Sequence, residues 1–274
     1  MRAESAHRGP AFGGFRVSTA ATLRERRRVE SFDVDRFGGI RPQALFGILL
    51  NTAWNATRGS VYGYQELSRR GLMWVLVKLH LRVHATPRWG DDIEISTWGK
   101  RVERFYALRD FVVSTAGGQK AVSATTVWMV IDKSRGRPQR LDPTTDGFPW
   151  QPEREEMETS LDRVPTLEEA PETSRFKVQF SDIDVNQHVN ATRYLQWMLD
   201  SQPPARLQES EPCEVQLSFV AEALPEDEVA VRSGDGPDGG QLLGITRVGD
   251  GRELCRGSLR WRPRTGIGRE ETTS

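Results

Sequence analysis

The sequence predicts an α+β fold, built twice, in which a long helix lies on a curved antiparallel sheet. Three observations predict it: a stretch of helical period, a following set of alternating runs, and the recurrence of that order in the second half. In the first half, Phe32-Asp33-Val34-Asp35 precedes a helix whose apolar face carries Leu45, Ile48, Leu49 and Thr52, with Pro42 in its first turn. A strand follows, with Val77, Leu79, Leu81 and Val83 inward and Lys78, His80, Arg82 and His84 on the polar face. Pro87, the pair Asp91-Asp92, a strand over Ile93–Trp98 and a Trp-bearing strand over Thr125–Ile131 complete the unit.

The second half repeats this order. Ser181-Asp182-Ile183-Asp184 precedes a helix carrying Tyr194, Leu195, Met198 and Leu199 on one face. Val215, Leu217, Phe219 and Ala221 then alternate with Gln216, Ser218, Val220 and Glu222, and Pro225 is set opposite Pro87. Asp227-Glu228, a strand over Val229–Arg232 and a strand over Ser258–Arg262 close the unit, with Trp261 opposite Trp128. The predicted layout is a disordered tail over 1–27, a first domain over 28–148, an acidic linker over 149–173 with room for a short helix, a second domain over 174–264 and a tail over 265–274.

Of 274 residues, 38 Lys and Arg balance 38 Asp and Glu. That balance argues against a general nucleic-acid binder, and no run is long enough for a membrane-spanning helix. Two cysteines, Cys213 and Cys255, are too few for a disulfide scaffold, and the four histidines form no ligand-like cluster. His80 and His84 read as solvated residues on a strand, not a metal pair. The Arg-rich, acid-poor start also resembles an organelle transit peptide, but it lacks the apolar core of a secretory signal. The zero is a sum of segregated parts: a basic start, a basic stretch over 99–140 and an acidic one over 151–173.

The two halves differ in chemistry. The second reads Asp184-Val185-Asn186-Gln187-His188-Val189-Asn190 just before its helix, whereas the first has Asp35, Phe37 and Gly39 opposite Asp184, Asn186 and His188. Polar groups beside a helix N-terminus can act as base, orienter and oxyanion donor. The same Asp and Asn residues also suit helix capping and Asx turns, which accounts for Asp182 and Asn190 without requiring His188.

Phe180 through Trp197 (FSDIDVNQHVNATRYLQW) resembles the signature of plant and bacterial acyl-ACP thioesterases. The resemblance continues through Leu72–Trp98 and Val122–Lys133 and covers most of residues 28–262. It implies two tandem hotdog domains, hydrolysis of fatty acyl-ACP, and a catalytic set at Asp184, Asn186, His188 and Glu222. Glu222 is expected on the polar side of its strand, and either carboxylate could be the base or, for Asp184, a nucleophile. Ala223 stands where many plant members have cysteine, and Ala191 replaces a second asparagine.

The resemblance further implies an acyl tunnel in the first domain, with Trp54 and Met73 as candidate lining. Val189 and Asn190 are expected at the substrate, with amides near Val189 as oxyanion donors. Lys100, Arg101, Arg104, Arg135, Arg137 and Arg140 are candidate contacts for an acidic acyl carrier protein. No metal or cofactor is implied, the expected location is cytoplasmic, and the expected state is a monomer or homodimer. Acyl-CoA hydrolysis and a non-catalytic acyl-chain or ACP-binding module are the alternatives.

Overall fold

The computed structural model describes residues 21–143 and 146–264. The strands are β1 (Leu23–Arg28), β2 (Leu72–Val83), β3 (Asp92–Glu103), β4 (Tyr106–Thr115), β5 (Lys120–Asp132), β6 (Glu172–Lys177), β7 (Ser210–Phe219), β8 (Glu228–Asp235), β9 (Gln241–Arg247) and β10 (Glu253–Pro263). The helices are α1 (Pro42–Thr57), α2 (Tyr64–Arg69), α3 (Ala191–Asp200) and α4 (Pro204–Glu209). All ten strands join one antiparallel sheet in the order β1-β3-β4-β5-β2-β7-β10-β9-β8-β6. The expected tail gives way to strand β1 at Leu23, because residues 23–28 pair with β3. Residues 1–20 and 265–274 lie outside the described residues.

The strand order of the second half is the reverse of the first, as a pseudo-twofold axis requires. That axis passes through the β2–β7 seam, where His80 pairs with Gln216, Leu79 with Leu217 and Leu81 with Val215. Leu45, Ile48, Leu49 and Thr52 are buried as the helical period predicts, and so are Tyr194, Leu195, Met198 and Leu199. Helices α1 and α3 pack on one side of the sheet, so both halves share one apolar core.

Local hydrogen bonds fix which residues are equivalent. Val29 N–H donates to the Asp91 carbonyl at 2.9 Å as Val178 N–H does to Asp227 at 2.8 Å. Ile40 N–H donates to the Pro87 carbonyl at 2.8 Å as Val189 N–H does to Ala223 at 3.2 Å. Pro87 therefore corresponds to Ala223, not Pro225, and Thr86 corresponds to Glu222. The two prolines are thus two residues out of step, whereas Asp91 and Asp227 are equivalent.

The acidic segment after the first half is a strap, and it contains no helix. It crosses the face of the sheet opposite the helices, held from beneath by strand side chains. Trp98 Nε1 donates to the Arg154 carbonyl at 3.1 Å, and the Arg154 guanidinium lies 3.5 Å from the Trp98 ring centre. Lys100 Nζ donates to the Met157 carbonyl at 2.7 Å, and Lys78 Nζ to the carbonyls of Ser160 and Asp162 at 2.8 and 2.7 Å. Val164 N–H then reaches Ser218 Oγ at 3.0 Å, beyond the seam.

This strap overturns two surface readings. Lys100 is fully buried and pairs with Asp110 and Glu155, so it offers nothing to a partner protein. His80 is buried too, its Nε2 lying 2.7 Å from Glu214 Oε1 across the seam. Burial lowers the Lys78 pKa and raises that of Asp110, the latter against bonds from Thr125 and the Glu156 amide and the charge of Lys100.

Removing the Lys100 ammonium strands the Asp110 carboxylate under the strap. Lys100→Ala should cost about 3 kcal/mol or more in urea unfolding and speed tryptic cleavage at Arg154. Burial also lowers the His80 pKa below its ordinary value, outweighing the opposing Glu214 contacts. The folded state thus binds fewer protons here than the unfolded chain, so this contribution to stability is present above about pH 6.5 and lost as pH falls through the folded value. His80→Gln should flatten the decline in melting temperature between about pH 7 and about pH 5.

Candidate active site

The loop before α3 is held by its own backbone. Asp184 N–H donates to the His188 carbonyl at 2.9 Å, Gln187 N–H to the Asp184 carbonyl at 3.0 Å, and Asn190 N–H to the Asp182 carbonyl at 2.8 Å. Asp184 Oδ1 accepts the Asn186 N–H at 2.8 Å, an Asx turn that bends the chain back on itself. Asp182 is buried, accepts the Gln179 N–H at 2.8 Å and pairs with Arg193 at 2.5 Å. Asn190 caps α3, its Oδ1 accepting from Thr192 N–H at 3.0 Å and Thr192 Oγ1 at 2.8 Å.

The first half builds the same loop with other side chains. Asp35 N–H donates to the Gly39 carbonyl at 2.8 Å and Arg41 N–H to Asp33 at 2.9 Å, while Asp35 Oδ1 accepts the Phe37 N–H at 2.9 Å. Gly38 there has φ +76°, and Gln187, its counterpart, has φ 64°. The turn therefore demands the left-handed region in both halves, and only the first half supplies a glycine for it.

Chemistry enters where the halves differ. His188 Nε2 lies 3.3 Å from Glu222 Oε2, and both side chains reach solvent, at 32% and 57% exposure. Strand β7 ends at Phe219, so Glu222 projects from the loop after it, not from the polar face of a strand as expected. The corresponding pair is Gly39 and Thr86, and a Cβ on Gly39 would stand only 3.0 Å from Thr86 Cγ2. Arg264 covers that first loop: it pairs with Asp35 at 3.0 Å and lies 4.3 Å from the Phe37 ring centre. Arg262 holds Thr86 Oγ1 at 2.8 Å and Glu211 at 2.7 Å beside it. One loop is sealed by arginines; the other presents an imidazole and a carboxylate to solvent.

The geometry brings Asp184, Asn186, His188 and Glu222 into one loop pair, but redefines their neighbours. Val189 is buried and its N–H is engaged by Ala223, while the Asn190 amide and carbonyl oxygen serve the loop and the cap. The expected oxyanion donors near Val189 are thus occupied. Ala191, the first residue of α3, is the next amide along and has no acceptor among the described residues.

Trp54 and Met73 do not converge. Trp54 is half-exposed on α1 with its ring 4.8 Å from that of Tyr64. Strand alternation sets Met73 on the face of β2 opposite Leu72 and Trp74, which pack with Tyr62, Phe148 and Trp150. A cleft of about 330 Å³ between β1, α1 and β3 is lined by Glu25, Asn51, Thr52 and Asn55, and by neither Trp54 nor Met73. Arg101 is bound to Glu103 and Glu155, whereas Arg104, Arg135, Arg137 and Arg140 are exposed. Spacing places Tyr194 only on the apolar helix face and gives Arg247 no part, yet both contact the Glu222–Ala223 peptide; each is unmatched in the first half, where Leu45 and Thr115 stand, and that difference is the available signal.

Comparisons with known proteins match the same two units. The acyl-ACP thioesterase N-terminal domain matches residues 21–145 and the acyl-ACP thioesterase C-terminal domain residues 166–263. A chloroplastic palmitoyl-acyl carrier protein thioesterase of Cuphea hookeriana is 30% identical over 221 residues, covering 74% of this chain and 51% of the relative. A chloroplastic oleoyl-acyl carrier protein thioesterase of Arabidopsis thaliana is 29% identical over 219 residues, covering 70% and 60%. The chain spans between half and two-thirds of the length of these relatives. Among solved structures, an acyl-ACP thioesterase from Bacteroides thetaiotaomicron aligns with a TM-score of 0.77 at 23% identity, covering 88% of this chain and 98% of that one. The 12:0-ACP thioesterase of Umbellularia californica aligns with a TM-score of 0.76 at 20% identity, covering 89% and 98%. These two share the tandem fold.

The left-handed Gln187 is a strained residue within the candidate loop. Gln187→Gly should raise stability by about 1 kcal/mol in chemical denaturation, since glycine enters that region freely. An unchanged or lowered midpoint would show that the loop carries no such strain.

Proposed function

The chain belongs to the acyl-ACP thioesterase family, and on that premise we propose that it hydrolyses fatty acyl-ACP to free fatty acid and holo-ACP in the cytoplasm. The observation that carries this reading is the His188–Glu222 pair, 3.3 Å apart beside the N-terminus of α3 and replaced by Gly39 and Thr86 in the sealed half.

The chemistry follows from those contacts. Glu222 and His188 together take a proton from water as its oxygen adds to the thioester carbonyl. The Ala191 N–H at the start of α3 faces the developing oxyanion, with the positive end of the helix behind it. The tetrahedral intermediate collapses, the C–S bond breaks, and the proton held by the pair passes to the departing thiolate. Asp184 shapes the loop through its bond to the Asn186 amide, a task that Asp35 performs equally in the half without the pair. Glu222 is accordingly the favoured base, and Asn186 is left to orient water or carbonyl. Exposed Arg104, Arg135, Arg137 and Arg140 remain as cations for an acidic carrier protein.

The reading is tested by thiol release from acyl-ACPs of graded chain length. His188→Ala and Glu222→Gln should each lower kcat by about 10²–10⁴-fold at unchanged melting temperature. Near-wild-type turnover in both variants would remove the assignment, and no release from any acyl-ACP by the unmodified chain would favour a binding module.

A further inference from the structure

The Glu222–Ala223 peptide is gripped from both sides. Arg247 Nη2 donates to the Glu222 carbonyl at 2.8 Å, and the Ala223 N–H donates to Tyr194 Oη at 2.8 Å. Both holding groups are themselves fixed. Arg247 Nε donates to Asp227 Oδ2 at 2.8 Å and its Nη1 to Asp250 at 3.0 Å, and Asp227 Oδ2 also accepts the Leu224 N–H at 2.8 Å. Tyr194 is buried in α3, four residues after the Asn190 cap, with its ring edge-on to Trp197 and Phe219. The grip thus links strand β9, helix α3 and the loop bearing Glu222.

The first half has no such device. The peptide corresponding to Glu222–Ala223 is Thr86–Pro87, whose proline has no N–H to donate. Leu45 stands at the place of Tyr194, and Thr115, paired with Ile93 as Arg247 is with Val229, stands at the place of Arg247. The two halves share the bond from the helix-start loop, Val189 to Ala223 and Ile40 to Pro87. The clamp therefore adds nothing that the fold needs in both halves, and it occurs where the loop carries a carboxylate in place of Thr86.

We propose that Tyr194 and Arg247 are positioning residues that set the Glu222 carboxylate against His188 by fixing the peptide that follows its Cα. The proposal rests on the reading of Glu222 as the base. Glu222 has a flexible side chain, more than half exposed, and the loop carrying it lies outside the sheet. Without the clamp its backbone could swing about the Glu222–Ala223 peptide, and a shift of about 1 Å in a reacting group can cost about 10²-fold in rate. Arg247 meets three acceptors on separate groups at once, which a lysine ammonium on a flexible stem does not reproduce.

The test is a double-mutant cycle on kcat, using the full chain and an acyl-ACP substrate, with melting temperatures measured in parallel. Tyr194→Phe and Arg247→Met should each lower kcat about tenfold with KM changed less than about twofold, and Arg247→Lys should recover only part of the Arg247→Met loss. In a Glu222→Gln background the same substitutions should cost less than about twofold, because the group they position is gone. A purely structural role predicts the full tenfold loss in that background as well, and that additivity would overturn the proposal, as would unchanged kcat in both single variants. If Glu222→Gln alone turns over at the wild-type rate, the assignment of Glu222 fails first and the clamp has no carboxylate to serve, an outcome distinct from additivity with a slow Glu222→Gln.

Discussion

The pairing of β2 with β7 is the constraint on which the rest of the molecule depends. Each half alone would leave an open strand edge, and pairing edge to edge removes both. Because His80 meets its own counterpart Gln216, the register makes the seam a pseudo-twofold contact and aligns the halves without a separate interface. The same register places α1 beside α3 on one side of the sheet, so the apolar faces of both helices close into a single core. The loops before the two helices are then held in fixed relation to the opposite half, as the Arg264–Asp35 pair at 3.0 Å shows for the first of them.

The other side of the sheet needs a different solution, and the strap provides it. Without the strap, Lys78, Lys100, Asp110 and Thr125 would stand on a solvated face. A buried ammonium must find acceptors, and backbone carbonyls of an irregular segment are well suited because they lack partners of their own. The strap's carbonyls at Met157, Ser160 and Asp162 and the ammonium groups beneath them satisfy one another. The acidic side chains of the strap are partly drawn into the same arrangement, Glu155 to Lys100 and Glu156 to Lys120 and Ser123. The charge segregation visible along the chain is therefore in part internal: the basic first half and the acidic segment neutralise each other across the sheet.

This explains which features the sequence made legible. Helical period, strand alternation and the repeated order depend on side-chain identity at regular spacing, and they mark α1, α3, β2 and the candidate loop before α3. The strap was read as a linker because carbonyl acceptors leave no residue-type pattern, and nothing in Lys78 or Lys100 distinguishes an ammonium capped by backbone from one in water. Proline is conspicuous in a sequence and sets Pro87 against Pro225, whereas the equivalence of Pro87 with Ala223 lies in a carbonyl that any residue possesses. Only the tunnel implied by the resemblance joins Trp54 with Met73, and one lies on a helix while the other lies on the far face of a strand. Helical spacing marks Tyr194 only as an apolar-face residue, whereas its hydroxyl is what meets the loop.

The two halves differ in what leaves an imidazole and a carboxylate open on one loop and not on the other. Backbone geometry is not the difference, since both loops close with equivalent hydrogen bonds and a left-handed residue at the same position. Nor can the aspartate, which bonds the following amide in each. Two conditions differ together. In the first half the Asp35 carboxylate is covered by Arg264, and Thr86 is tied to Arg262 and Glu211, so neither faces solvent free of a charged partner. In the second half Arg247 grips the Glu222 backbone carbonyl and leaves the Glu222 carboxylate to the imidazole. An arginine on a carboxylate fixes it by neutralising it; an arginine on the neighbouring peptide holds it in place while leaving its charge available. A loop that keeps a free carboxylate beside an imidazole needs the second arrangement, and the fold hosts either on one backbone.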